Sequence, residues 1–362
     1  MIRSRILRAA LGLLSAITLA SCGGTADNSS QPGTGKGSEA KSPPKGPKLL
    51  FISNGSSDWW KAVEKGMDDA GQSLGADVKL RLNKGEVQGQ VDLLKNAMSL
   101  PGLQGVAVSV LEADAPGIAD AMRDLQKAGK IVVTIDSDVS PSHADLRSGY
   151  IGTENTKAGE VAGKAAALVR PEGGKVLAFV GTFAAANARS RRDGFLTGAG
   201  AKFKLEPSQS FEDGTDFNKA RSNVQTAITK VPDAAVLLGL YSYNAPAIAQ
   251  EVGGSAELRK KVSVVTFDLD EATVGHLEKG NIDVSVCQNP YEMGYQAVKL
   301  LKALIEKDEK TVKEVLPDGS TRDTGVRVIV PKADSPVKAL GSEVITVDEM
   351  KTWLTSKGLK SS

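Results

Sequence analysis

Polar and aromatic residues gather just after the short apolar runs of this chain, in types suited to holding a hydroxyl-rich ligand. One run is followed by Asn54-Gly55-Ser56-Ser57-Asp58-Trp59-Trp60, which sets two of the three tryptophans at a predicted helix start. An indole face stacks on the apolar C–H face of a sugar ring, and rim groups such as Ser57 can bond its hydroxyls. Packing of Trp59 or Trp60 into the core is the competing reading. Asp136, in Asp136-Ser137-Asp138, and Asp268, after the run Val262 to Phe267, stand at the ends of other apolar runs. A carboxylate placed there can accept two hydroxyl hydrogens, and hydrogen bonds to charged groups are worth ~1.5–3 kcal/mol. Asp270, just before Glu271, reads instead as a helix cap. Ala188-Arg189-Ser190-Arg191-Arg192 opens another predicted helix. Cations oppose the positive end of a helix dipole, so at least one of these arginines needs a carboxylate or a ligand oxygen. Arg189 is the candidate, with Arg191 and Arg192 expected on a solvated face. Gln288 ends a further apolar run, and its amide can both donate and accept.

Other chemistries find less support. Gly71-Gln72-Ser73-Leu74-Gly75 fits G-x-S-x-G, but a nucleophile elbow needs a strand before the serine, whereas Ser73 closes a helical pattern with Gly75 as its cap. The chain has only His143 and His276 to act as a base, and neither has distinctive spacing, so an exported hydrolase is a minor alternative. Asp136 and Asp268 could serve as a glycosidase pair only at a separation of ~5–9.5 Å, which spacing along the chain does not fix. Asp136 and Asp138 lack the histidine or cysteine companions of a transition-metal site. No Walker A motif occurs and no G-x-G-x-x-G follows a strand, so neither a nucleotide nor any other cofactor is expected.

The N-terminus places this chemistry outside the cytoplasm. Arg3, Arg5 and Arg8 precede an apolar run from Ala9 to Ala20, too short for a bilayer core of ~30 Å, and then Leu19-Ala20-Ser21-Cys22-Gly23. This pattern is that of a lipoprotein export signal, cut before Cys22 and leaving lipid on that cysteine. Its removal takes the formal charge from +2 to about −1, which leaves no electrostatic footprint for nucleic acid. Cys287 is the other cysteine and is expected to be a buried, inert thiol in a strand. Gly23 to Pro47 is rich in Gly, Ser, Pro and Lys and reads as a flexible tether.

From Lys48 onward, short apolar runs alternate with helical patterns as βαβαβαβ through Ile135. A second set follows, including helix Thr156 to Leu168, strand Lys175 to Val180, helix Arg189 to Gly198, strand Phe203 to Gln209 and helix Asp216 to Lys230. Strand Ala235 to Leu240, helix Ala245 to Val252, strand Val262 to Phe267, helix Glu271 to Lys279 and strand Ile282 to Cys287 complete it. The fold class is α/β, with two doubly wound parallel-sheet lobes. Ligands of such sheets sit beyond the carboxyl ends of the strands, where the residues above lie.

The aromatic pair, TIDSD, NARSRRDGF, VVTFD and QNPYEMG, in this order and spacing, make the chain resemble the type I periplasmic sugar-binding proteins. The likeness is strongest to the ribose-binding proteins of ABC importers, and it runs from about Lys48 to Val330. The resemblance implies stacking by Trp59 and Trp60, hydroxyl bonding by Asp136, Asp268 and Arg189, and a hinge role for Gln288. It also implies departures. Ser137 replaces an arginine and Ser57 an asparagine, Asp216 falls near a covering aromatic, and Tyr241 and Asn244 stand in for an Asn-Asp pair. It further implies a three-stranded hinge, crossed near Gly152, Gln288 and Thr324. The divisions are then a signal at 1–21, a tether at 22–47, a first lobe at 48–152 plus 289–323, a second lobe at 153–288 plus 324–340, and a terminal extension at 341–362. A monomeric receptor handing a monosaccharide or polyol to an ABC permease is the expected function. Presentation of a sugar or autoinducer to a membrane sensor kinase is the alternative.

Overall fold

The computed structural model describes residues 46–362; the export signal, Cys22 and nearly all of the tether lie outside the described residues. The first lobe is laid down by β1 (Lys48–Ile52), α1 (Trp60–Leu74), β2 (Asp77–Arg81), α2 (Val87–Met98), β3 (Leu103–Val108), α3 (Pro116–Lys127), β4 (Ile131–Ile135) and β5 (Tyr150–Gly152). The chain then crosses into α4 (Asn155–Val169), β6 (Gly174–Val180), α5 (Ala186–Ala199), β7 (Phe203–Lys204), β8 (Ser210–Glu212), α6 (Phe217–Lys230) and β9 (Ala234–Gly239). The second lobe continues with α7 (Asn244–Gly253), α8 (Ala256–Lys261), β10 (Ser263–Phe267), α9 (Glu271–Glu278) and β11 (Val284–Cys287). α10 (Pro290–Glu306), α11 (Glu309–Val315) and β12 (Thr321–Asp323) return to the first lobe; β13 (Arg327–Val330), β14 (Val344–Thr346) and α12 (Val347–Ser356) end in the second.

The first sheet has the order β12-β5-β4-β3-β1-β2 and is parallel throughout. The second runs β14-β13-β11-β10-β9-β6-β7, with β8 also pairing β6 and β13 antiparallel to β11. Near-continuous apolar runs such as Ala234 to Gly239 are buried along their whole length, because helices cover both faces of each sheet. Each lobe therefore has one core per face. Leu49, Phe51 and Met67 lie on the α1–α10 side of the first sheet, and Ile52, Val108 and Met122 on its α2–α3 side. In the second lobe, Phe195 packs with the α4–α5 side, and Leu237 and Ile248 with the α6–α7 side.

Two sequence expectations need correction. Phe203 to Gln209 is not one strand: Pro207 starts a 3₁₀ turn that separates β7 from β8. Residues 341–362 are no appendage, since β14 pairs β13 and α12 buries Val347, Met350 and Leu354 in the second lobe. The three crossings are tied together: Thr153 Oγ1 donates to Gln288 Oε1 at 2.9 Å, and the Thr324 N–H donates to Gly152 O at 2.7 Å. None of the described helices is long and apolar enough to cross a membrane.

Candidate ligand-binding site

A cavity of about 250 Å³ lies between the carboxyl ends of the two sheets. It is below the ~300–1,000 Å³ of drug-sized pockets, a size for one small ring. Loops after β1, β4, β6, β9, β10 and β11 all reach it.

The two strand-end aspartates are built alike. Asp136 has φ 59° and Asp268 φ 62°, in the left-handed region that aspartate tolerates better than most residues. In each, the backbone N–H still bonds the neighbouring strand, to Ile151 O at 3.1 Å and Val286 O at 3.0 Å. The turn thus leaves the sheet paired while both side chains line the cavity. Asp136 Oδ2 accepts from Ser109 Oγ at 2.8 Å and Asn54 Nδ2 at 3.4 Å. Asp268 is gripped by the Gln288 backbone N–H at 3.0 Å and side-chain Nε2 at 2.9 Å. Burial pushes the Asp136 carboxyl up to about 6, against the pull of Arg191 and Ser109. Asp268 is raised for the same first reason, with Arg191 again opposing.

Arg191, only 1% exposed, is the guanidinium of this cavity. Its Nε donates to Asn155 Oδ1 at 2.9 Å and its Nη1 to Leu240 O at 2.8 Å; Nη1 lies 3.9 Å from Asp268, and the group sits over the Phe267 ring at 4.7 Å. Its Nη2 is buried without a partner. Trp59 Nε1 is a second buried donor with no bond of acceptable geometry, although it lies close enough to Asp268 to favour the carboxylate's charged form. Trp59 and Trp60 meet edge to face at 5.1 Å. Both belong to the first-lobe core and also line the cavity.

Of the residues named from sequence, Ser57, Trp59, Trp60, Asp136, Tyr241, Asp268 and Gln288 line this one cavity. Arg189 and Asn244 do not. Arg189 Nη1 donates to the carbonyls of Phe183 and Ala184 at 3.0 and 2.9 Å, and its Nη2 faces Asp114 of the other lobe at 3.6 Å. The physical reason is helical phase: Asn187, Arg191 and Phe195 recur at i, i+4 on the buried face of α5, and Arg189 lies off it. The expectation that Arg191 is solvated is corrected accordingly. Asn244 is wholly buried behind the wall, donating to Asp213 Oδ2 at 2.9 Å and accepting from the Tyr241 N–H at 3.0 Å.

Sequence reasoning missed Asn54, Asn187, Tyr243 and Phe217, all of which line the cavity. Asn187 accepts from Tyr241 OH at 2.9 Å, and Tyr243 OH donates to Asp213 at 2.6 Å. Asp213 is pushed up to about 6 by burial, despite these donors. Asp216 caps α6 by accepting from the Lys219 N–H, and the aromatic expected near it is the next residue, Phe217. Asp270 caps α9 through the Thr273 N–H at 2.7 Å. Asp138 is held by Arg147 at 2.7 Å, and Ser73 lies exposed at the end of α1, its Oγ on the Ala70 carbonyl.

The lobes touch at the rim, where the Ala113 N–H donates to Ala184 O at 3.2 Å beside the Arg189–Asp114 pair. Residues 49–309 match the periplasmic binding protein domain family. The chain is 24% identical over 258 residues to the D-allose-binding periplasmic protein of Escherichia coli, covering 68% of this chain and 80% of that one. It is 23% identical over 272 residues to the ribose import binding protein RbsB of Bacillus subtilis, covering 74% and 85%. A solved ABC transporter solute-binding protein from Burkholderia graminis, in complex with D-arabinose, superposes with a TM-score of 0.70 at 25% identity, covering 80% of this chain and 96% of that one. Two α/β lobes joined by three crossings, with strand-end loops converging on one cleft, thus place the chain in the periplasmic binding protein family, with its type I fold.

Proposed function

We propose that this protein is a lipid-anchored, extracytoplasmic, monomeric receptor that closes its lobes over a monosaccharide or related polyol and delivers it to an ABC permease. The observation that carries the reading is the convergence of Trp59, Trp60, Asp136, Arg191, Asp268 and Gln288 on one small cavity. Indole faces supply stacking, the two carboxylates accept hydroxyl hydrogens, and the unpartnered donors of Trp59 and Arg191 require oxygen acceptors. Relatives named for allose and ribose, and one holding D-arabinose, support the same ligand class. Hinge closure follows from donors and acceptors lying on both lobes: a ligand meets all of them only when the lobes approach, and so shifts the equilibrium by its differential affinity. Anchoring rests on Leu19-Ala20-Ser21-Cys22-Gly23.

Titration calorimetry of the unfolded and refolded protein, freed of copurified ligand, against a panel of monosaccharides and polyols tests the reading. Micromolar or tighter binding to at least one is expected, and silence across the panel overturns it. For the anchor, Cys22→Ala is expected to move the protein from the membrane fraction to the soluble one; continued membrane retention would remove that part of the proposal.

A further inference from the structure

Among the described residues, two carboxyls and one guanidinium line the cavity: Asp136, Asp268 and Arg191. They are not evenly shared. Arg191 stands on the Asp268 side, fixed by Asn155 and the Leu240 carbonyl, and Asp268 also receives two bonds from Gln288. Asp136 has only neutral donors, Ser109 and Asn54, and both reach the same oxygen, Oδ2. Its Oδ1 receives no hydrogen bond among the described residues, and no lysine or arginine forms an ion pair with it.

A neutral ring would bring hydroxyl donors but no cation into contact with that buried carboxylate, whose charge is opposed only by Arg191 from beyond ion-pair distance. The rise of Asp136 toward neutrality reflects the penalty of that burial. The walls favour the opposite sign. Trp59, Trp60, Tyr241, Tyr243 and Phe217 surround the space, and aromatic faces attract cations. At the Asp268 end the unpartnered groups are donors, Trp59 Nε1 and Arg191 Nη2, which a cation does not satisfy and an oxygen does. The cleft is therefore polarised, with an acceptor in need of a cation at one end and donors in need of oxygens at the other.

We infer that the ligand is an amino sugar or amino polyol, whose protonated amine sits on Asp136 and whose oxygens meet Trp59 and Arg191. This rests on the reading of the cleft as a sugar site. The test is calorimetry of the refolded protein with glucosamine, galactosamine and mannosamine, each beside its neutral parent and its uncharged N-acetyl form. At least one amine is expected to bind ten or more times tighter than both of its counterparts. Asp136→Asn should erase that preference, and asparagine suits the left-handed backbone at this position. Neutral parents binding as tightly as every amine overturns the inference and leaves the receptor reading standing, as does a preference that survives Asp136→Asn. No binding by any amine or neutral sugar overturns both. The wild-type comparison alone decides the matter should the variant fold poorly.

Discussion

Arg191 and the buried carboxylates govern what single residues do here. Arg191→Lys keeps the charge but loses the planar fork that spans Asn155, Leu240 and the cavity, so binding of the cognate sugar is expected to weaken roughly 10- to 100-fold. Calorimetry reads this directly, and an unchanged affinity would show that the guanidinium is structural only. Asp136 and Asp213 shape stability instead. Each is raised from 3.8 to about 6, so protonation favours the folded, ligand-free state. Their contribution is complete below about pH 4 and is lost as pH rises through 6, costing about 3 kcal/mol per carboxylate at ~1.4 kcal/mol per tenfold. Carboxylates held low, such as Asp318 at about 2, weaken the fold only in stronger acid. His276, lowered by burial, works in the opposite sense over the same range. The ligand-free protein should therefore melt at a higher temperature at pH 5 than at pH 7.5, and Asp136→Asn with Asp213→Asn should reduce the difference, with the part due to Asp268 and Asp270, raised by burial in the same sense, remaining. A wild-type melting temperature that drops between pH 7.5 and 5 contradicts the assignment. The aspartates and tryptophans of the cleft were legible because strand ends mark the ligand side of a doubly wound sheet. Arg191 was legible only through its i+4 spacing to Asn187 and Phe195, and Phe217 was hidden because exposure of an aromatic at a helix start has no sequence signature.

Helix contacts at backbone distance position these residues. A Cβ on Gly159 of α4 would stand 2.3 Å from Arg191 O, and one on Gly194 of α5 2.1 Å from Thr156 O. The first lobe repeats the device, with Gly66 of α1 against Tyr291 O and Gly294 of α10 against Val63 O. Gly159→Ala must push α5 away from α4, at a cost of ~1–3 kcal/mol, and must carry Arg191 with it. Thermal melts and calorimetry on this variant should show lower stability together with weaker binding. Gly275→Ala, in α9 with nothing within 4 Å of its Cβ position, is expected to stabilise by ~0.4–1 kcal/mol and leave binding unchanged. Equal behaviour of the two variants would show that close helix approach does not tune the site. The strands were readable because two-sided burial demands unbroken apolar runs. The short helices α8 and α11 were not, since their polar, lightly buried sequences have no apolar face long enough to show a period. The terminal strand and helix looked like an extension because β14 is only three residues long and its place at the sheet edge depends on its pairing with the preceding strand, β13, rather than on its own composition.

At the scale of the molecule, the proposed closure involves individually weak contacts at the rim. The Arg189–Asp114 pair is partly exposed on both sides and so worth ~0.2–1 kcal/mol, and the Ala113–Ala184 bond adds ~0.5–1.5 kcal/mol. Ser361 Oγ adds a third contact, to Asp58 O at 3.2 Å, while Ser362 exchanges backbone bonds with Leu269 on the second lobe. If the lobes close as proposed, terms of this size would leave an open and a closed form both populated, so that ligand bonds decide between them. Small-angle scattering should then show the radius of gyration contracting as the cognate sugar is added. Arg189→Ala removes an interlobe contact without touching the cavity, so its saturated form should contract just as far as the wild type while needing up to about fivefold more ligand, the equivalent of ~1 kcal/mol. An unchanged radius at saturation would overturn hinge closure. A loss as large as that of Arg191→Lys would instead mean that Arg189 meets the ligand itself, the role its sequence position first suggested.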